Sequence, residues 1–372
     1  MARKAVYSID VDGTPIDVAL SPILISISIK SDDKSSADEL SLEIDDSYGQ
    51  VELPRMGASV TAEIGWDDSG SVVSFEGTVD EAHSGGNKGG GHGGHHGGGG
   101  GGGPVHASGS RSKGRTLTLT AKSIDMTGNM KGRRSAHMDN ATFGDVAKAW
   151  GQKAGLSDVK VDASLASVKR RYWAMANESY PAWASRMAHE QGATFKVFNT
   201  VGVFVPRTGG TSASGKALTP IAVTWGNNLI EWSASPILSR PDHGSFTTRW
   251  YDPKAATHKT ETSDTQGTGK ATHSHAYKAA TQDAAKAQAN SNKAELDREK
   301  GGCDGITIDG TPDAQAGAPC TVSGIRDGVD GTYLISSVTH SLSRSGGFTT
   351  RLSLKQPTGG AGTDSRSSSS SS

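Results

Sequence analysis

The feature that most constrains this chain is a two-residue period of apolar side chains that keeps returning along it. In Glu39-Leu40-Ser41-Leu42-Glu43-Ile44 every second residue is apolar, and the pattern recurs at Val60, Ala62, Ile64 and Trp66. It returns at Leu117, Leu119 and Ala121, with Thr on the opposite face. A strand turns successive side chains to opposite faces, so this period calls for strands with one side on a core. The clusters Asp12-Gly13, Asp45-Asp46-Ser47-Tyr48-Gly49 and Asp67-Asp68-Ser69-Gly70 punctuate the runs as turns. Short antiparallel strands of this kind predict a small barrel or sandwich over 1–130.

The period then changes. Thr142 is placed to cap a helix with Asp145 three residues on, and Phe143, Val146, Ala147 and Trp150 follow at helical spacing until Gly155. A second helix starts after Asn177-Glu178-Ser179 with Pro181 in its first turn. It puts Tyr180, Trp183, Ala184, Met187 and Ala188 on one face and ends at Gly192. Short strands at 193–197 and 201–205 complete an α+β insert, assigned to 131–210.

From Thr219 the strand pattern resumes, at 221–225, 229–232, 246–251, 306–308, 320–324, 332–342 and 348–354. The stretch 254–272 is polar and rich in Gly and Thr and reads as a loop. An Ala-rich helix over 274–300 carries few large apolar residues, which predicts close packing on something flat. The plan is therefore mainly β with an α+β insert: a first β-domain, the insert, a second β-domain over 211–358 containing the Ala-rich helix, and a Ser-rich tail at 359–372.

Hydrophobic residues make up 34% of the 372, and Gly accounts for 49 of them. Much of that bias sits in 84–114, a stretch with almost no apolar side chains, which predicts a long loop without a core of its own. Its His92, His95 and His96, flanked by His83 and His106, could hold a metal, but nothing fixes their geometry. With 38 basic and 39 acidic residues interspersed, the net charge is −1 and no basic stripe offers phosphate binding, so specific nucleic-acid binding is not expected. No apolar run approaches the roughly 18 residues of a membrane-spanning helix, and no secretory signal opens the chain. Cys303 and Cys320 flank a predicted strand pair, which leaves two readings open: two reduced small residues, or a cross-strand disulfide.

Three motifs imitate chemistry. Gly210-Thr211-Ser212-Ala213-Ser214-Gly215-Lys216-Ala217 approaches a phosphate-binding loop, but Ala217 lacks the hydroxyl and Pro220 blocks the helix that should follow. His189-Glu190 opens a zinc-peptidase-like helix, yet Ala193 stands where the second His belongs. Glu178 and Asp242 are candidate paired carboxylates, and nothing brings them to a defined separation. No cofactor and no catalytic residue is expected.

Several stretches resemble the late control protein D family of contractile-tailed phages. The most specific is 331–352, with Val338-Thr339-His340-Ser341-Leu342 and the turn Gly346-Gly347-Phe348-Thr349-Thr350. Asn177-Glu178-Ser179 with the helix after it is similar to the family's N-E-S helix, and 53–66 resembles part of its first barrel. The resemblance implies a structural baseplate hub, with Asn177, Glu178, Ser179, His340, Gly347 and Phe348 as structural positions. It also implies two similar β-barrel domains per subunit that form a pseudo-sixfold ring in a homotrimer. That ring would join a hexameric tail tube to a trimeric spike and continue the DNA channel. Other baseplate proteins and the tape measure protein would be further partners. The implied location is the virion, after assembly in the host bacterial cytoplasm, with no membrane anchor. The N-terminal hub of the type VI secretion spike protein shares the implied fold. The alternatives are a hub of a phage-derived injection or secretion particle, and a hub-associated cell-wall hydrolase.

Overall fold

The alternating runs become strands of one 13-stranded sheet that passes through both β-rich parts of the chain. The computed structural model describes residues 3–34, 37–68, 70–86, 114–125, 128–207, 210–212, 216–238, 241–265, 269–276 and 278–357. Most of the Gly/His stretch, with His92, His95, His96 and His106, lies outside these residues, as does the tail at 359–372.

The first β-unit contains β1 (Ala5–Val11), β2 (Thr14–Pro15), the short α1 (Asp17–Leu20), β3 (Leu24–Asp32), β4 (Glu39–Asp45), β5 (Ser59–Trp66), β6 (Val72–Gly86) and β7 (Arg115–Lys122). Its core is the apolar face predicted from the period: Leu40, Leu42, Ile44, Val60, Ala62, Ile64, Leu117, Leu119 and Ala121 are all buried together. The β6–β7 hairpin continues into the stretch expected to be loop, pairing Ser84 with Leu117 and Gly86 with Arg115. Ladder hydrogen bonds come from the backbone, so the pairing runs on where side chains give no signal.

The insert comprises β8 (Arg134–Thr142), α2 (Phe143–Lys153), β9 (Asp158–Val161), α3 (Ala163–Ala166), β10 (Lys169–Glu178), α4 (Tyr180–Glu190), β11 (Ala193–Phe198) and β12 (Val201–Pro206). Thr142 caps α2, its side chain accepting from the Asp145 amide, and Ser179 caps α4 through the Ala182 amide. The two helices bury an aromatic cluster in which Trp150 and Trp183 meet edge to face at 4.8 Å and Phe143 meets Phe204 at 4.9 Å. Each such ring, fully buried, contributes roughly 1.5–3 kcal/mol, which lets a small unit hold its shape. The sequence reading did not place β8, β9 or β10, because in the β8–β10 ribbon only Trp173 and Met175 are buried.

The last part holds β13 (Ile221–Thr224), β14 (Leu229–Glu231), β15 (Ser245–Asp252), β16 (Thr257–Asp264), β17 (Thr272–Ser274), α5 (Gln282–Glu299), β18 (Gly302–Asp309), β19 (Pro319–Ser323), β20 (Gly331–Ser343) and β21 (Gly347–Lys355). Strands β13, β14 and β18–β21 surround a second core of Ile221, Val223, Ile306, Ile308, Val322, Tyr333, Ile335, Leu352 and Leu354. The polar stretch expected as loop instead supplies β16 and β17, which flank β15 in a separate sheet. β16 is an exposed edge strand, so it needs no apolar period. α5 begins later than expected, capped by Thr281, because His273 and Ser274 belong to β17. Its flat partner is the β15–β16 sheet.

The two β-rich parts are not separate sheets. β20 pairs antiparallel with β3 from Ser337↔Asp32 to Ser343↔Ser26, and the order runs β14-β18-β21-β20-β3-β4-β7-β6-β5-β1-β2, with β19 also on β20 and β13 on β19. A register shift between Ile335 and Ser337 also changes the faces of β20. A strict alternation puts Leu334, Ser336, Val338 and His340 together. The bulge instead lets Tyr333 and Ile335 share the second core with Val338.

Candidate functional site at the junction of the units

Where β3 meets β20, side chains from every part of the chain converge. The tip of the β20–β21 hairpin leaves its own core: Phe348 is buried in the core of the first unit and Leu342 packs against it. Gly347, at φ +67°, makes the turn that sets Phe348 there. Trp66 packs on Phe348 at 5.3 Å and donates its indole N–H to the Gly310 carbonyl at 2.8 Å.

His340 lies one turn of the pleat away and is 3% exposed. Its Nε2 stands 3.1 Å from the Ala314 carbonyl and its Nδ1 3.1 Å from Thr350 Oγ1. A carbonyl only accepts, so Nε2 carries the proton and Nδ1 accepts from the hydroxyl. Burial pushes the imidazole pKa down to about 4, against the favourable Ala314 contact. His340 is thus a neutral, saturated strand histidine.

Beside it lies a cluster of ionic groups at the meeting of β3, the insert and α5. Asp33 contacts Arg298 at 3.2 Å and Arg207 at 3.9 Å. Glu295 takes Lys34 at 2.5 Å, His189 at 3.0 Å and Arg207 at 3.9 Å, while Glu299 takes Lys34 and Lys355. Burial raises the Asp33 carboxyl above its ordinary value, with Arg298 and Arg207 opposing it. The hydrogen bond from His189, helped by Lys34, holds Glu295 far below the usual carboxylate range despite its burial. Backbone contacts close the same joint: Thr194 Oγ1 donates to the Asp33 carbonyl and the Gln356 amide donates to the Arg298 carbonyl. Next to the cluster, a cavity of about 440 Å³ contains the Lys196–Asp38 pair at 2.5 Å. Asp33, Arg207, Glu295 and Arg298 carry no motif in the sequence. Their only signal was charge, which a sequence offers equally on any solvated face.

Asn177, Glu178 and Ser179 lie at the start of α4. Asn177 sits at φ +49° and its amide donates to Ser135 Oγ. Glu178 binds Arg186 at 2.5 Å, and Ser179 is the cap of α4. The imitation motifs separate. His189 turns to Glu295, while Glu190 turns to Arg170 and Arg186. Asp242 lies 3.8 Å from Lys300, in a different ion pair from Glu178. Thr211 bridges Ala217 and β13 follows with no helix between them; residues 213–215 lie outside the described set. Among the described residues no group of three or more His, Cys, Asp or Glu is placed to hold a metal. Cys303 and Cys320 are both buried, each as a free thiol. Burial, reinforced by Cys303 nearby, pushes the Cys320 thiol up to about 12, which makes it unreactive.

The chain matches known proteins along most of its length. Residues 38–346 match the family described as phage tail baseplate hub (GPD). A probable baseplate hub protein of Escherichia phage P2 is 26% identical over 251 residues, 67% of this chain but only 57% of the phage protein. One from Escherichia phage 186 is 26% identical over 371 residues, 89% of this chain and 88% of its own. The fold matches the 43 kDa tail protein of prophage MuSo2 from Shewanella oneidensis with a TM-score of 0.67 at 14% identity, covering 95% of this chain and 99% of that one. It also matches an E. coli type VI secretion system component at a TM-score of 0.50 and 12% identity, covering 97% of this chain and 79% of that one. With the family match extending over most of its length, this chain belongs to the phage tail baseplate hub (GPD) family.

Proposed function

We propose that this chain is a structural adaptor, a homotrimeric hub joining the hexameric tail tube to the trimeric central spike and continuing the DNA channel. One observation carries the reading: two β-units, each with its own core, stand edge to edge through the β3–β20 pairing. Read as two barrels per subunit, they make six barrel positions in a trimer, which suits a joint between sixfold and threefold neighbours. The net charge of −1 supports a channel through which DNA slides without sticking. The junction's charged groups pair with one another, Asp33 with Arg298 and Glu295 with Lys34, which supports a structural rather than enzymatic role. The tube and spike proteins are the direct partners in this reading, and other baseplate proteins and the tape measure protein contact the assembled ring in the virion.

Light scattering and electron microscopy of the purified full chain test the proposal. The expected particle has the mass of three chains, threefold symmetry and six similar lobes, and it binds tube and spike proteins. A chain that stays monomeric and binds neither overturns the reading.

A further inference from the structure

The two β-units share one connectivity. Taken in chain order as first to sixth strands, β1, β3, β4, β5, β6 and β7 lie side by side in the order first, fourth, fifth, sixth, third, second. β13, β14, β18, β19, β20 and β21 lie in the same order. The one difference is the first pairing, antiparallel for β1–β5 and parallel for β13–β19.

The match extends to single residues. Val79 exchanges backbone hydrogen bonds with Gly57 and Ala58, and Ile335 does the same with Gly317 and Ala318. Both glycines have positive φ, +73° and +90°. Directly after these residues the hairpins shift register in the same way, between Val79 and Glu81 in β6 and between Ile335 and Ser337 in β20. The second strands match as well. β3 is irregular between Leu24 and Ser26, and β14 between Leu229 and Glu231. Beyond that point Lys30 faces Glu39 on β4, and Ser235 bridges Gly302 on β18. Leu24-Ile25-Ser26-Ile27-Ser28 thus overlays Leu229-Ile230-Glu231-Trp232-Ser233.

The shared plan exposes an asymmetry. β20 from Ser337 onward overhangs its neighbour β19, and that overhang is covered by β3. β6 from Glu81 onward overhangs β5 in the same way. Among the described residues no strand covers that edge, and 80–84 is exposed. The equivalent of β3, the segment 229–238, has β18 on one side and, among the described residues, no strand on the other. Ser233 and Ser235 donate their amides to Gly305 and Gly302. By alternation, the Trp232 and Ala234 amides point away from β18. Leu229 and Ala234 of the segment pack on the second core, but Trp232 is 37% exposed where its counterpart Ile27 is fully buried, and Ile230 is 52% and Ile237 81% exposed.

We infer that the β3–β20 joint inside the chain is repeated between chains, with the end of β6 of one copy pairing antiparallel with segment 229–238 of the next. The fifth and second strands lie on opposite sides of each unit's strand order, so the contact is head to tail and a closing rotation makes a ring. Transferring the β3–β20 register pairs Glu81 with Ile237, His83 with Ser235 and Gly85 with Ser233. Pro236 takes the place of Ser31 and supplies no amide, so the joint has one hydrogen bond fewer than its template. The inference rests on the ring reading above and names the surface that closes the ring.

His83 and Ser235 are both exposed, and their counterparts Thr339 and Lys30 form a pair that does not exchange hydrogen bonds, the geometry that best admits a disulfide. The test is the full chain carrying His83→Cys and Ser235→Cys, oxidised and run on a non-reducing gel, beside each single variant and the native chain with its two buried thiols. The double variant should give at least tenfold more covalent oligomer than either single variant, ending at three chains. Glu81→Cys with Ile237→Cys, two residues along the same register, should do the same. A particle of three-chain mass in which neither pair cross-links overturns this interface and leaves the trimer standing. A monomeric mass for the native chain overturns both. Cross-linked ladders that run past three chains overturn the closed ring.

Discussion

The two β-units are built to one plan and differ most in what lies beside their second strands. In the first unit, β3 is covered by β20, and Leu24, Ile27 and Ile29 are buried. In the second, the equivalent segment buries Leu229 but keeps Ile230, Trp232 and Ile237 in the open, with Trp232 37% exposed. Leu24 and Leu229 are buried alike, but the position that is core at Ile27 is surface at Trp232. Burial here is decided by the neighbour and not by the residue, which marks the uncovered copy as an interface.

The comparison breaks most sharply at equivalent positions. Ile27→Lys buries an unpaired charge and should cost about 5 kcal/mol, enough to unfold a marginally stable unit. Trp232→Lys should cost no more than about 1 kcal/mol in the isolated chain yet abolish its self-association. Urea denaturation and light scattering on the two variants read the contrast, and equal destabilisation would end the equivalence. Next comes the residue that one unit lends to the other. Phe348→Ala should cost about 3–4 kcal/mol by opening a cavity in the first core. The loss should appear in the first unit's amide exchange although the mutation lies on the second unit's hairpin.

A smaller effect, of roughly 3 kcal/mol, comes from His340, because a pKa lowered from 6.5 to about 4 favours the neutral form in the fold. That stability is present above pH 6.5 and is lost as pH falls through 4. His340→Gln should flatten the stability profile between those values, leaving the acid loss from Glu295 at lower pH. The smallest change belongs to the insert, away from the shared plan. Ser179→Ala removes the cap of α4 and should cost about 1 kcal/mol without altering self-association, as thermal melts and light scattering would show.

Much of the fold was legible in the sequence wherever a local period sufficed. The strands around Leu40, Ile64 and Leu119 and the capped helices at Thr142 and Ser179 followed from spacing alone. Strands lacking a buried face, such as β16 and the end of β6, left no period to read. Ser179 stands at a helix start that spacing reveals, whereas the pairing of Glu178 with Arg186 was not legible in the sequence. His340 and Phe348 could be placed on a hairpin, but not against the core of another unit. The internal repeat was hidden because its shared residues are few and scattered, while its shared features are a bulge, a positive-φ glycine and an order of strands.

By itself, then, the sequence determined the strands and helices that carry a buried face, the caps and turns that end several of them, and which face of each seeks a core. Those follow from side-chain alternation, capping and turn chemistry within a few residues. Only the tertiary structure decided that Asp32 pairs with Ser337, that Asp33 needs Arg298, and that Phe348 completes a core begun some three hundred residues earlier. Such contacts between distant segments are fixed by how whole sheets and helices fit together, and no local pattern encodes the fit.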